Sequence, residues 1–333
     1  MAAEKNNISI IIVNYKSWHH LQNCLDSIAK IDDDDFLLEV IIVDNSLNKI
    51  KIEEFKNNFP SFKFYINSGN NGFANGCNLG AKKASGNYFL FLNPDTKITK
   101  QPILEMLTVI LAKKNLGAVS CLQKNEDGSY EKSMRFFPKL ITLFGFFRAI
   151  FKTKLEKSIK KDTHIIYPDW ISGAVVLISK NWFSKIKGWN EDYWMYFEDV
   201  DLSKKIRDKK GEIGLLTNTF IIHNHGGSSR INLKTASITK LEVLISKHVY
   251  FANHFKGIYC FLLQTLLVVY TMFSKFILGL LGLFFFFVPK LKLQFVLFKK
   301  IISYYFLAII NSTWLSEKSI NYSKLSLLNK RKI

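Results

Sequence analysis

Acidic residues are scarce in this chain of 333 residues: 27 Asp and Glu stand against 46 Lys and Arg, a formal net charge of +19. A deficit of that size selects polyanionic partners (nucleic acid, anionic lipid or phosphorylated substrates), and charge alone leaves all three open. Cysteine is scarcer still. Cys24, Cys77, Cys121 and Cys260 show no CxxC or ligand-like spacing, which indicates neither a disulfide framework nor a zinc site and suits a reducing cytoplasm. No internal repeat or low-complexity linker divides the chain, and no GxGxxG marks a nicotinamide site. The opening MAAEKNN leads into a strand without the apolar core of a signal peptide, so the catalytic part is expected not to be exported. The length exceeds one typical domain, which predicts one large α/β domain with an appendage.

What is present is a series of short buried-strand patterns, each ending in polar residues. Ile8 to Val13 is a β-branched run, broken only by Ser9, of the kind buried on both faces of a parallel sheet, and it stops at Asn14. Leu21, Leu25 and Ile28 follow at helical spacing, and Val40 to Val43 repeats the strand pattern before Asp44. In open α/β sheets the ligand sits at such strand carboxyl ends. Asp44 is therefore a candidate partner for a base or ribose, although a lone Asp there is equally well a turn residue. Phe62 to Ile66 precedes NNGFANGCNLG, whose Asn71, Gly72 and Asn78 suggest backbone passing close to a ligand, with helix-start N–H groups suited to phosphate. Tyr88 to Leu92 ends at Asn93-Pro94-Asp95, where a proline-stiffened carboxylate can bind a divalent metal that in turn binds a diphosphate.

The stretch from 172 to 214 is the densest. Ala174 to Ile178 reads as a strand, and seven aromatic residues, among them Trp189, Trp194 and Tyr196, crowd into the sixteen positions from Trp182 to Phe197. Glu198, Asp199 and Asp201 then open a helix expected to continue through Ile206, where carboxylates suit the positive end of the helix dipole. Helix caps and ordinary core account for each residue singly. Together they describe an aromatic wall that raises a carboxylate's pKa toward that of a general base, and this stretch is read as the acceptor side of an active site.

Taken in order, ISIIIVNYKS, EVIIVDNS, NNGFANGCNLG, YFLFLNPDT, SGAVVLIS, GWNEDYWMYFEDVDLSKKI and IIHNHGGSS resemble the family-two inverting glycosyltransferases of GT-A fold, in their rhamnosyltransferase-like branch. The resemblance covers about residues 7 to 256. It implies a Rossmann-like α/β domain with a mostly parallel central sheet and flanking helices over 1–256, and a nucleotide-sugar donor held by Asn14, Asp44, Asn71, Gly72, Asn78, Asn93 and Asp95. It also implies a Mg2+ or Mn2+ ion on Asp95, completed by a histidine for which His223 is preferred and His225 kept. Asp199 would be the catalytic base with Glu198 as runner-up; Trp189, Trp194, Tyr196 and Asp201 would form the acceptor side, Asp201 orienting the helix. The donor favoured by the resemblance is dTDP-L-rhamnose, with a UDP-hexose as the alternative. The sequence departs from the family in following DNS with Leu47-Asn48, which puts a further ribose contact in doubt.

The C-terminal third speaks of location. Residues 136–161 pair Phe144, Phe147 and Phe151 with a series of lysines, a basic amphipathic pattern suited either to an anionic membrane surface or to packing on the sheet. Between Ile258 and Pro289 the only charge is Lys275, dividing the run into apolar pieces of 17 and 14 residues. A span needs roughly 20 apolar residues, so monotopic insertion is expected rather than a clean crossing. Beyond it nine basic residues face the single acid Glu317, which fits the anionic cytoplasmic leaflet. Residues 257–333 are thus a helical membrane-associating region, and the chain is expected at the cytoplasmic face of the cell membrane, peripheral or monotopic, with a lipid-linked or polysaccharide acceptor. A nucleic-acid-binding protein would cluster its lysines among exposed aromatics, whereas here they lie beside apolar runs, so no nucleic acid partner is expected. A membrane scaffold would leave Asp44, Asp95 and Asp199 unexplained.

Overall fold

The computed structural model describes residues 5–32, 34–131, 133–140, 164–224 and 232–330. His225 and, from residue 141 on, the basic amphipathic stretch lie outside the described residues. Two compact units emerge, one of residues 1–190 and 198–225, the other of residues 191–197 and 226–333.

The first unit is built on a nine-stranded sheet. Strands β1 (Asn6–Asn14), β2 (Phe36–Asp44), β3 (Lys63–Ile66) and β4 (Tyr88–Leu92) are the apolar runs of the sequence, and all pair in parallel in the order β3-β2-β1-β4. Alternate residues of β1 feed opposite faces. Ile10 and Ile12 pack with α1 (Trp18–Ile28), α2 (Lys49–Asn58) and α4 (Lys100–Ala112), whereas Ile11 and Val13 pack with α3 (Phe73–Lys83), α5 (Lys180–Lys185) and α6 (Glu198–Asp208). The result is three layers. Each fully buried isoleucine contributes roughly 1.5–3 kcal/mol, so the β-branched runs fix the sheet centre and leave chemistry to its edge.

The sheet continues through β10 (Val175–Ser179), β6 (Leu116–Lys124), β11 (Glu212–His223) and β5 (Thr96–Lys97). β10 enters antiparallel to both β4 and β6, while β6 and β11 are parallel, so the sheet is mixed but mostly parallel. The reversal matters for the site. It brings the amino end of β10 to the same edge as the carboxyl ends of β1, β2, β4, β6 and β11, and the Asn93 N–H donates to the Ala174 carbonyl at 3.0 Å across it. β8 (Ile165–Ile166) adds to β11, and β7 (Met134–Arg135) pairs β9 (Trp170–Ile171) apart from the main sheet.

Helix α3 explains the glycines of NNGFANGCNLG differently from the sequence reading. A Cβ on Gly80 would stand 2.4 Å from Ile11 Cγ2, so this glycine seats the helix flush on β1 rather than admitting a ligand. Gly72, the residue before the helix, has φ +94°, a conformation that L side chains rarely adopt.

The second unit consists, among its described residues, of the segment Glu191–Phe197 and the helices α7 (Leu233–His254), α8 (Gly257–Phe284), α9 (Pro289–Ile310) and α10 (Ile320–Lys330). Lys275 does not interrupt the apolar run: α8 is continuous for 28 residues, and Lys275 Nζ donates to Gln294 Oε1 on α9 at 2.9 Å. α8 and α9 are each long and apolar enough to cross a membrane. Phe273, Phe284 and Phe287 on the outside are about 70 % exposed, whereas Gln264, Thr271 and Gly282 face inward.

Candidate active site

The strand-end residues form one connected edge. Asn14, fully buried, donates from Nδ2 to Asp44 Oδ1 at 3.2 Å and accepts from the Ser17 N–H at 3.1 Å. Asp44 also accepts from the Ser46 hydroxyl at 2.7 Å and from the Asn48 N–H at 3.1 Å. Its carboxylate thereby shapes the turn that follows β2. Asn71 Nδ2 donates to Ser68 Oγ at 2.9 Å, and the Gly72 carbonyl accepts from Asn45 Nδ2 at 3.0 Å. Asn78 points elsewhere: its Nδ2 donates to the Trp189 carbonyl at 2.9 Å and its Oδ1 accepts from the Trp189 N–H at 3.0 Å. Both ends of this amide brace α3 against the aromatic stretch, a role that residue type alone does not reveal.

Asp95 and His223 meet because β5 pairs antiparallel with the last residues of β11, His223 opposite Thr96. His223 Nε2 lies 3.4 Å from Asp95 Oδ1, and Nδ1 lies 3.0 Å from Glu131 Oε2 and 3.1 Å from Gln123 Oε1. Burial of the ring lowers its pKa, but the Asp95 and Glu131 charges and hydrogen bonds outweigh it and leave the pKa raised. With Nδ1 engaged behind, Nε2 is turned toward the Asp95 carboxylate, an arrangement common in metal-binding histidines. Among the described residues no group of three or more His, Cys, Asp or Glu forms a metal cluster. A carboxylate and an imidazole nevertheless suit an ion that completes its shell from a diphosphate, as Mg2+ does. Glu131 and Gln123 were not legible as motifs, although Gln123 near the carboxyl end of apolar β6 follows the same strand-end rule as Asn14.

The carboxylates of α6 occupy the remaining part of the edge. Asp199, half-buried, accepts the Gly173 N–H at Oδ2 (3.1 Å) and the Val200 N–H at Oδ1 (2.8 Å). Burial pushes its pKa up to about 6, against the opposing pull of those N–H groups and of the Arg135 charge. Glu198 is buried and pushed up to about 8, first by burial and then by the Asp199 and Asp201 charges. Burial thus raises both carboxyls of the pair toward the range in which a general base works. Asp201, 1 % exposed, accepts from Asn190 Nδ2 at 3.5 Å and lies 3.7 Å from Lys205 Nζ, which holds the start of the helix.

The aromatic residues divide. Trp189 is core rather than wall: it is 2 % exposed, edge-on to Phe91 at 5.2 Å and to Phe73 at 5.6 Å. Trp194 and Tyr196 belong to the other unit, Trp194 buried and Tyr196 half-buried. Tyr196 and Phe197 have φ of +69° and +66°, at a cost on the order of 1–2 kcal/mol each. That strain sits directly before Glu198.

The sequence model of glycosyl transferase family 2 matches residues 9–182, and a second, described as the N-terminal domain of galactosyltransferase, matches residues 156–225. The chain is 28 % identical over 209 residues to rhamnosyltransferase WbbL of Escherichia coli, covering 60 % of this chain and 76 % of that protein. It is 26 % identical over 224 residues to the low-salt glycan biosynthesis hexosyltransferase Agl10 of Haloferax volcanii, covering 66 % and 67 %. It is 24 % identical over 233 residues to the N-acetylglucosaminyl-diphospho-decaprenol L-rhamnosyltransferase of Mycobacterium tuberculosis, covering 63 % and 72 %. In fold it is similar to the mannosyltransferase PcManGT of Pyrobaculum calidifontis, solved with GDP-Man and Mn2+, at TM-score 0.53 and 14 % identity over 89 % of this chain and 86 % of that one. It is also similar to GalNAc-T7, solved with UDP, GalNAc and Mn2+, at TM-score 0.52 and 16 % identity; 72 % of this chain matches about half (48 %) of that one. The strand-end site, the mostly parallel sheet and the match over more than half of the sequence lead to one conclusion: the chain belongs to glycosyl transferase family 2 and is a nucleotide-sugar-dependent glycosyltransferase of GT-A-like fold.

Proposed function

We propose that the enzyme moves L-rhamnose from dTDP-L-rhamnose to a hydroxyl of a lipid-linked or nascent cell-surface glycan, with inversion at the anomeric carbon. What supports this most is that the Asp95–His223 pair and Asp199, with its raised pKa, lie on one edge of one sheet. The names of two relatives, both rhamnosyltransferases, support the donor.

In the proposed reaction Asp199 takes the proton of the acceptor hydroxyl as that oxygen bonds to the anomeric carbon, while the bond from that carbon to the diphosphate oxygen breaks. Glu198, the neighbouring carboxyl also raised by burial, is the runner-up for the base. Asn14, Asp44, Asn71, Gly72 and Asn93 line the donor side, and Asn78 serves it by bracing α3. A Mg2+ or Mn2+ ion would be held by Asp95 and His223, with His225 as the further candidate, and would supply positive charge for the departing diphosphate. On the acceptor side, half-buried Tyr196 offers an apolar ring to sugar, and buried Trp194 in the same segment helps exclude water.

The catalytic domain is taken as residues 1–256 and the membrane-associating region as 257–333, acting at the cytoplasmic face of the cell membrane as a peripheral or monotopic protein. The exposed apolar faces of α8 and the lysine-rich tail support that location. A hexosyltransferase relative favours a UDP-hexose as the second reading of the donor. The test is release of nucleoside diphosphate from dTDP-L-rhamnose, UDP-glucose and UDP-galactose with Mn2+, with and without membrane extract. Extract-stimulated release of dTDP is expected; stimulated release of UDP alone would select the second reading.

A further inference from the structure

The seven residues Glu191–Phe197 lie in the second unit, and residues far along the chain hold them there. Asp192 accepts at both carboxylate oxygens: Asn253 Nδ2 on α7 donates to Oδ2 at 3.0 Å, and Asn321 Nδ2 on α10 donates to Oδ1 at 2.9 Å. The Ser319 hydroxyl donates to the Glu191 carbonyl at 3.1 Å, and the Ser246 hydroxyl donates to the Met195 carbonyl at 2.8 Å. Lys318 Nζ stands 4.2 Å from the centre of the Trp194 ring. The same ammonium lies 3.2 Å from Glu242 Oε1, a 2 % exposed carboxylate that also accepts from the Ser316 hydroxyl at 3.1 Å. Lys318 is thus set between a buried negative charge and an aromatic face, both of which attract it.

Such fixing is more than a surface loop needs. Tyr196 and Phe197 hold left-handed backbone at the end of this segment, and strain of that kind persists only where the surroundings over-determine it. One peptide bond later the chain is Glu198, the first residue of α6.

We propose that Asp192 and Lys318 are positioning residues for acceptor use: held by Asn253 and Asn321 and by Glu242, they fix the loop that carries buried Trp194 and presents Tyr196 at its strained corner. This rests on the reading of that loop as the acceptor side. The loop belongs to the unit that contains the two apolar helices, which suits an acceptor that is itself anchored in lipid.

The experiment uses the full chain in detergent micelles with Asp192→Ala, Asp192→Asn, Lys318→Met and Trp194→Ala. Hydrogen exchange of the peptide covering residues 191–197 is read by mass spectrometry. Kinetics use dTDP-L-rhamnose and N-acetylglucosaminyl-diphospho-decaprenol, and donor affinity is read by calorimetry. Losing two hydrogen bonds to a charged group should speed exchange in 191–197 and raise the acceptor KM in Asp192→Ala by about tenfold or more, with donor Kd moving less than about twofold. Asp192→Asn, which keeps an oxygen acceptor, should recover part of both effects, and Lys318→Met should reproduce them in weaker form. Exchange and acceptor KM at wild-type values in both Asp192→Ala and Lys318→Met overturn the proposal. If Trp194→Ala alone raises the acceptor KM, only the tether is overturned. If exchange rises in Asp192→Ala while neither it nor Trp194→Ala alters acceptor use, the acceptor-side reading falls, and the proposal with it.

Discussion

The backbone N–H of Gly173 donates to Oδ2 of Asp199 at 3.1 Å, joining the turn before β10 to the first turn of α6. The bond favours the ionised carboxylate that burial opposes, so one residue is at once raised in pKa and kept available as a proton acceptor. Asp199→Asn keeps an oxygen for Gly173 but cannot accept the proton. Turnover should fall by on the order of 10²- to 10⁴-fold while donor affinity barely moves, and Glu198→Gln should cost less. Transfer assays paired with donor calorimetry decide it. Wild-type turnover in Asp199→Asn with a dead Glu198→Gln would exchange the two roles.

The same geometry sets a pH dependence. As the proposed base, Asp199 must be ionised to act, so the rate should fall as pH drops through about 6. Arg135 contributes a positive charge that lowers this pKa, and Arg135→Gln should move the acid limb to higher pH. The check is kcat over roughly pH 5 to 9 for both proteins. A limb that stays in place would show that Arg135 does not act on the titrating group.

Glu198 makes a separate statement about stability. Its folded pKa is raised from 4.5 to about 8, so its neutral form favours the fold. That contribution is fully present below about 4.5, is lost progressively as pH rises toward about 8, and changes no further above it. Glu198→Gln stays neutral throughout and should gain stability relative to the parent chain as pH rises across that window. Urea melts at the two ends of the window measure it; a difference independent of pH would mean that folding does not raise the Glu198 pKa.

Asp95→Ala should remove the dependence of donor binding on Mn2+ and leave the melting transition cooperative, because this carboxylate faces His223 rather than supporting the core. Calorimetric titration of dTDP-L-rhamnose with and without Mn2+ reads this directly. Unchanged Mn2+-dependent affinity would reduce the Asn93-Pro94-Asp95 element to a turn.

Gly80→Ala tests the packing rather than the chemistry. Its Cβ would meet Ile11 Cγ2 at 2.4 Å, so α3 must lift from β1, at roughly 1–3 kcal/mol of stability. Urea denaturation should show a lower midpoint with little change in slope, and a midpoint equal to that of the parent chain would mean that the helix shifts freely.

The parallel core was legible because Ile8 to Val13, Val40 to Val43 and Tyr88 to Leu92 are apolar on both faces, a pattern that few other environments produce. For the same reason the sequence showed that Asn14, Asp44 and Asp95 stand at or just beyond strand carboxyl ends. It could not give the direction of β10, since Val175 to Ser179 is equally apolar read either way and its place between β4 and β6 is a tertiary outcome. An aromatic ring looks the same in sequence whether it lines a site or fills the core, and Trp189 proved to be core. The pairing of His223 with Gln123 and Glu131 joins positions about 100 residues apart on different strands and turns, which no local motif encodes. Glycines were ambiguous likewise: closeness to a ligand and closeness to a neighbouring strand both demand a missing Cβ.

The attachment of Asp192 to Asn321 spans 129 positions of the chain, and this has a meaning for biosynthesis. Domains fold as units, amino-terminal parts first, while synthesis continues. The sheet and its strand-end residues can be complete while most of the helical unit is still on the ribosome. The segment leading to Glu198 receives its hydrogen bonds from Ser319 and Asn321 only after residue 321 has emerged. A nascent chain, or one ended before residue 319, therefore has its sheet edge formed before the corner ahead of α6 is fastened by the residues at the start of α10.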